Sequence, residues 1–152
     1  MTYYFEDFTV GRVFELGSKL MTPAEIIEFA SEFDPQPMHL SEEAGKASIL
    51  GGLAASGWHT CAVFMRMTAD SYLLQSTSQG SPGIDYIDWK KPVLAGDTLS
   101  GTSTVLEARL LRSRPGFGIA KFLNDIRNQR GETVCIGELS IIFTARDTQG
   151  AA

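Results

Sequence analysis

The sequence predicts an α+β domain in which an antiparallel sheet wraps around one long buried central helix. Three observations carry that expectation. Residues 57–74 are apolar on nearly all sides, as a buried helix is. Beyond the Gly- and Ser-rich stretch "QSTSQGSPG" the pattern changes to long extended segments rich in β-branched and aromatic residues, separated by Gly- and Pro-containing turns. A strand-like segment and one capped helix come before the buried helix, so a single sheet folded over a single helix satisfies the order of elements.

The elements follow in order. "RVFELGSKLM", 12–21, reads as a first strand. Thr22-Pro23-Ala24-Glu25 is a capping box with proline at the first helical position. Ile26, Ala30 and Phe33 then recur at helical spacing, with Ile27 and Phe29 widening the apolar face. Pro35 closes this helix, because the residue before a proline is pushed out of the α region; Pro37 does the same to Gln36. Residues 34–39 are therefore a stiff, bent connector holding a carboxylate, Asp34, and an imidazole, His39. Ser41 is placed to cap a short helical turn, Gly51-Gly52 marks a loop, and Ser56 is placed to cap the central helix. Four extended segments follow: "IDYIDWKKPV", "TLSGTSTVLEARLL", "IAKFLNDIRN" and "TVCIGELSIIF". In the last, the apolar positions change parity between Ile136 and Leu139, which predicts a β-bulge at Gly137.

At 152 residues the chain predicts one domain over 1–152. A composition 43% hydrophobic and 20% charged is that of a globular protein, and the net charge of −5 argues against nucleic acid as a partner. Cys61 and Cys135 have neither disulfide-framework nor zinc spacing and read as small core residues. "MTYYFEDFTVGRVFELG" lacks the basic and apolar regions of a signal peptide, and the apolar run 58–74 is interrupted by His59, Arg66 and Asp70. A cytoplasmic protein with no membrane partner is expected.

The stretch "FDPQPMHLSEEA", 33–44, carries a resemblance. Phe29, Asp34, Pro35, Gln36, Pro37, Met38, His39 and Ala44 resemble the motif of the MaoC-like dehydratase family, the branch of the hotdog fold that includes the (R)-specific enoyl-CoA hydratases. "KKPVLAGDTL", 90–99, is similar to the segment these proteins carry after the central helix. Gln36 stands where the hydratases usually have asparagine, and Ser56-Gly57-Trp58 where many have histidine-glycine-methionine. The resemblance implies a hydro-lyase that adds water to an enoyl-CoA thioester, or removes it from a 3-hydroxyacyl-CoA, in fatty acid metabolism. Asp34 and His39 would act on a single water. No metal and no cofactor is implied, coenzyme A being part of the substrate, and the partner implied is a second copy, in a homodimer or a multiple of dimers.

The residues allow that chemistry. A carboxylate and an imidazole can hold one water between them, and an imidazole gives and takes protons near neutrality. The enolate oxygen needs preorganised donors, which the N-terminus of the central helix supplies, with Gly57 as the natural donor. Ser56 is expected to cap the helix, contact the acyl group, or both; Gln36 to support Asp34; Trp58, Met38 and Phe64 to line an acyl pocket. His59 reads as packing. Arg109, Arg112 and Arg114, with Lys90 and Lys91, are candidates for coenzyme A phosphates, although a solvated strand end explains them as well. Two other functions fit: an acyl-CoA thioesterase, for which Asp70 would be the carboxylate, and a non-catalytic acyl-thioester-binding protein.

Overall fold

The computed structural model describes residues 1–146, so the last part of the expected domain, 147–152, lies outside the described residues. Strand β1 (Val13–Leu20) is followed by helices α1 (Pro23–Phe33), α2 (Glu42–Ala47) and α3 (Gly57–Ser71), then by β2 (Ile84–Trp89), β3 (Thr98–Leu110), β4 (Phe117–Arg127) and β5 (Thr133–Thr144). The strands form one antiparallel sheet in the order β1-β3-β4-β5-β2. It curls over α3 in the hotdog arrangement.

The local signals act as their chemistry requires. Thr22 accepts a hydrogen bond from the Glu25 N–H at 3.2 Å, and its hydroxyl donates to the Glu25 carboxylate at 3.1 Å. Asp34 leaves the helix at φ −153°, ψ 70°, and Gln36 is extended at φ −74°, ψ 142°, as residues before proline are. After Gln36 the chain turns through a short 3₁₀ segment, Pro37–His39. Ser41 caps α2 through the Ala44 N–H at 3.1 Å.

The core fills the space between α3 and the sheet. Val63, Phe64 and Met67 of α3 meet Leu99, Val105, Phe122, Ile126, Leu139 and Ile141 of the strands. Phe8 stacks on Phe143 at 4.0 Å between ring centroids, and Tyr72 on Phe122 at 5.4 Å. These contacts correct the expected end of α3. Tyr72 leaves the helix to bury its ring among Phe8, Phe14 and Phe122, and a 3₁₀ turn, Leu73–Gln75, follows.

Two further expectations change. The central helix is not apolar and covered all round: His59, Thr60, Val63, Phe64, Met67 and Thr68 are buried, while Trp58 is 62% and Met65 43% exposed. The parity change in β5 falls at Val134 rather than Gly137, because Ile126 faces Cys135 and Arg127 faces Thr133, leaving Val134 as the extra residue. Cys135, Gly137, Leu139, Ile141 and Phe143 then share the inner face. Gly137 is required for a different reason: a Cβ there would sit 2.7 Å from the Tyr86 carbonyl oxygen of the adjacent strand.

Candidate active site

The bent connector brings its two polar side chains together. Asp34 Oδ2 lies 3.5 Å from His39 Nε2. The imidazole is buried, and its Nδ1 is 2.7 Å from the carbonyl oxygen of Ala54. A carbonyl only accepts, so Nδ1 carries the hydrogen and, in the neutral ring, Nε2 presents a lone pair toward Asp34. Two acceptors at this separation form a seat for a molecule that donates a hydrogen bond to each.

Asp34 is fixed from both oxygens. Ser56 donates its hydroxyl to Oδ2 at 2.6 Å, and the Gln36 amide donates to Oδ1 at 2.7 Å. The Ser56 hydroxyl, then the Gln36 amide, then the charge interaction with His39 hold the Asp34 carboxyl below its ordinary range, against a desolvation that pushes it up. Asp34 is therefore an ionised acceptor over the whole neutral range.

Ser56 is fully buried. Its Oγ also accepts from the Trp58 N–H at 3.3 Å, so one hydroxyl caps α3 and orients Asp34. It is not among the residues that line the cavity in front of the pair, so the geometry gives it the capping and orienting roles and no surface for the acyl group.

That cavity, of about 370 Å³, is lined by Asp34, Gln36 and His39, by Gly57, Trp58 and Thr60 at the start of α3, and by Trp89, Lys90 and Lys91 after β2. Gly57 opens the helix, and its N–H is one of the first-turn donors that have no intrahelical carbonyl. Why the position must be glycine is decided by Trp89. A Cβ on Gly57 would lie 2.6 Å from an indole carbon, and the indole N–H donates to the Gly57 carbonyl at 3.1 Å. Trp58 and Trp89 meet edge to face at 5.5 Å, forming an aromatic wall at the cavity mouth.

The other candidates separate. Lys90 and Lys91 line the cavity and pair with Asp88 (3.5 Å) and Glu132 (2.5 Å). Arg109 lies elsewhere, in a concavity with Asp85, Glu107 and Lys121. His59 stacks on Phe29 at 4.7 Å, a packing role. Phe64 is buried one helical turn beyond Thr60 and does not line this cavity, and neither does the half-buried Met38. Asp70 pairs with Arg66 at 3.0 Å on the exposed side of α3. Sequence reasoning missed the Ala54 carbonyl and Trp89. Backbone carbonyls leave no trace in side-chain identity, and the register that sets Trp89 over Gly57 is a tertiary fact.

Among the described residues no helix is long and apolar enough to cross a membrane. The model of the MaoC like domain family matches residues 7–120. Among curated proteins, the uncharacterized protein YdeM of Bacillus subtilis (strain 168) is 31% identical over 138 residues, 91% of this chain and 96% of that protein. The crystal structure of the MaoC-like dehydratase from Rhodospirillum rubrum is 39% identical, covers 95% of this chain and 98% of its own, and superposes with a TM-score of 0.87. The (R)-hydratase PhaJ1 from Pseudomonas aeruginosa shares the fold, with a TM-score of 0.77 at 20% identity over 95% of this chain and 88% of its own.

Proposed function

This chain belongs to the MaoC-like domain family, and we propose that it is a hydro-lyase acting on a 2-enoyl thioester of coenzyme A. The observation that carries the proposal is the pairing of Asp34 Oδ2 and His39 Nε2, 3.5 Å apart on the wall of one cavity, with Nδ1 committed to the Ala54 carbonyl. The substrate's reacting carbons sit in that cavity with the water seated on the pair.

The roles follow from the local chemistry. Asp34 is kept ionised and is a poor proton acceptor for its type, so it orients the water. The His39 Nε2 lone pair takes the proton as the water oxygen bonds to C3 and the C2–C3 π electrons move toward the thioester carbonyl. The imidazolium, steadied by Asp34, then returns the proton to C2, so one water has been added across the double bond. The enolate oxygen is received by the Gly57 N–H at the positive end of α3. Lys90 and Lys91 at the mouth favour the phosphates of coenzyme A. The exposed edge of β2, with Ile84, Tyr86 and Trp89 uncovered, is where a second copy would pair.

A thioesterase needs a carboxylate beside the thioester carbon. Asp70 is about 20 Å along α3 from Gly57 and is engaged by Arg66, which argues against it. The test is the loss of enoyl absorbance on mixing the protein with crotonyl-CoA and longer or branched enoyl-CoAs, with thiol release followed in parallel. Hydration without thiol release is expected; thiol release would favour the thioesterase, and tight binding without turnover a non-catalytic role.

A further inference from the structure

The fold brings together two thiols that the proposed reaction does not use. On α3, Gly57, Cys61 and Phe64 recur at helical spacing and share one face. That face looks onto the paired strands β2 and β5. The Trp89 indole lies against Gly57, and Cys135, which faces Trp89 across the two strands, meets Phe64 in a small apolar gap. Cys61 stands between these two contacts, and its thiol and that of Cys135 are hydrogen-bonded to each other. Both read as small core residues in the sequence because nothing in their spacing announces the meeting.

The two sulfurs differ in setting. Cys135 is 3% exposed, whereas Cys61 is half-buried and open to a small reagent. The hydrogen bond from Cys135 holds the Cys61 thiol below its ordinary range, against a burial that pushes it up, and the Trp89 indole N–H adds to the lowering. The same hydrogen bond, and then burial, push the Cys135 thiol up. An accessible sulfur with thiolate character beside a protonated neighbour is the arrangement of an attacking and a resolving thiol.

We propose that Cys61 and Cys135 are a thiol switch: a hydroperoxide oxidises the pair to a disulfide that ties α3 to β5 and weakens the active site. With hydrogen peroxide, the Cys61 thiolate attacks one oxygen, the O–O bond breaks and the other oxygen leaves as hydroxide, which takes up the proton lost by Cys61. The Cys135 sulfur then attacks the Cys61 sulfenic acid, and its proton departs with the hydroxyl as water. Two thiols have lost two hydrogens, and one peroxide has become two waters. In a reducing compartment the pair stays open until an oxidant arrives.

The consequence for the site is one of position. Bonded sulfurs stand about 2.0 Å apart, so α3 is drawn toward β5 just past its first turn, where Gly57, Trp58 and Thr60 line the cavity. A displacement of about 1 Å at such a site costs up to about 10²-fold in rate. The disulfide is independent of the reaction; its effect on turnover rests on the hydro-lyase reading.

The test treats the reduced full chain with a small excess of hydrogen peroxide, then removes the oxidant. Intact mass, peptide mapping and crotonyl-CoA turnover are read before treatment, after it, and after dithiothreitol. Loss of two hydrogen masses, a Cys61–Cys135 cross-linked peptide and a fall in kcat/KM of about tenfold or more, all reversed by dithiothreitol, are expected. Cys61→Ser should keep its turnover under the same treatment, and Cys135→Ser should stop at a sulfenic acid that a cyclic diketone traps. The unaltered protein alone decides the matter if a variant does not fold. Absence of the cross-linked peptide overturns the switch, and so does a cross-link that leaves turnover unchanged. A reduced protein that hydrates no enoyl-CoA overturns the hydro-lyase reading and with it the control of turnover, while the mass and the peptide map still decide the disulfide.

Discussion

Replacing Ser56 by alanine removes a hydroxyl that serves two partners, and the two losses can be separated. The hydrogen bond to Asp34 Oδ2, at 2.6 Å, is to a charged acceptor. Bonds of that kind contribute about 1.5–3 kcal/mol. If the whole of it is needed to hold Asp34 against the water, kcat/KM falls roughly ten- to hundredfold. The bond from the Trp58 N–H to Ser56 Oγ is a helix cap, whose loss to alanine costs about 0.5–2 kcal/mol of stability but to glycine only a few tenths. Ser56→Ala and Ser56→Gly should therefore lose activity alike while differing in urea midpoint. A titration of Asp34 itself gives the second readout. Ser56 is the largest influence holding the Asp34 carboxyl down. Without it the carboxyl titrates higher, which the pH dependence of the Asp34 carboxyl carbon signal reads directly by NMR. Activity is followed as loss of enoyl absorbance. Loss of activity in proportion to loss of stability, with an unmoved Asp34 titration, would refute the orienting role.

Gly57→Ala places a methyl group 2.6 Å from one indole carbon of Trp89 and 3.0 Å from two others; the indole has to move, at a cost of about 1–3 kcal/mol, and the tryptophan fluorescence should shift together with a fall in turnover. Phe122, fully buried between Tyr72 and Phe8, is worth about 3–5 kcal/mol against alanine, read from urea unfolding. Because the Asp34 carboxyl is lower in the folded protein than its ordinary value of 3.8, its stabilising contribution is fully present above that value and is lost as the pH falls through the folded one. The stability of Asp34→Asn should therefore vary less with pH than that of the unaltered protein below about pH 4, by urea midpoints across the acid range.

Much of this was legible in the chain because it depends on local chemistry. The Thr22–Glu25 box, the prolines at 35 and 37 and the caps at Ser41 and Ser56 act on their neighbours in sequence, and each sits where local rules put it. The convergence of Asp34 and His39 followed from the same stiffness. What was hidden depends on distant partners. The Ala54 carbonyl fixes the imidazole from fifteen residues away, and Trp89 reaches Gly57 only once β2 has paired with β5. The bulge at Val134 was read as one at Gly137 because a glycine beside a parity change looks like its cause. The glycine is there for the close approach of β2.

One water shared by two side chains is the centre of the proposed mechanism, and a double-mutant cycle tests it most directly. Asp34→Asn, His39→Gln and the double variant are compared by kcat/KM for crotonyl-CoA, with folding checked by circular dichroism. Each single change is expected to cost about 10²–10⁴-fold, and the double variant should be little worse than the poorer single one, because either change already unseats the same water. Losses that multiply in the double variant would mean that Asp34 and His39 act independently, contradicting the shared seat.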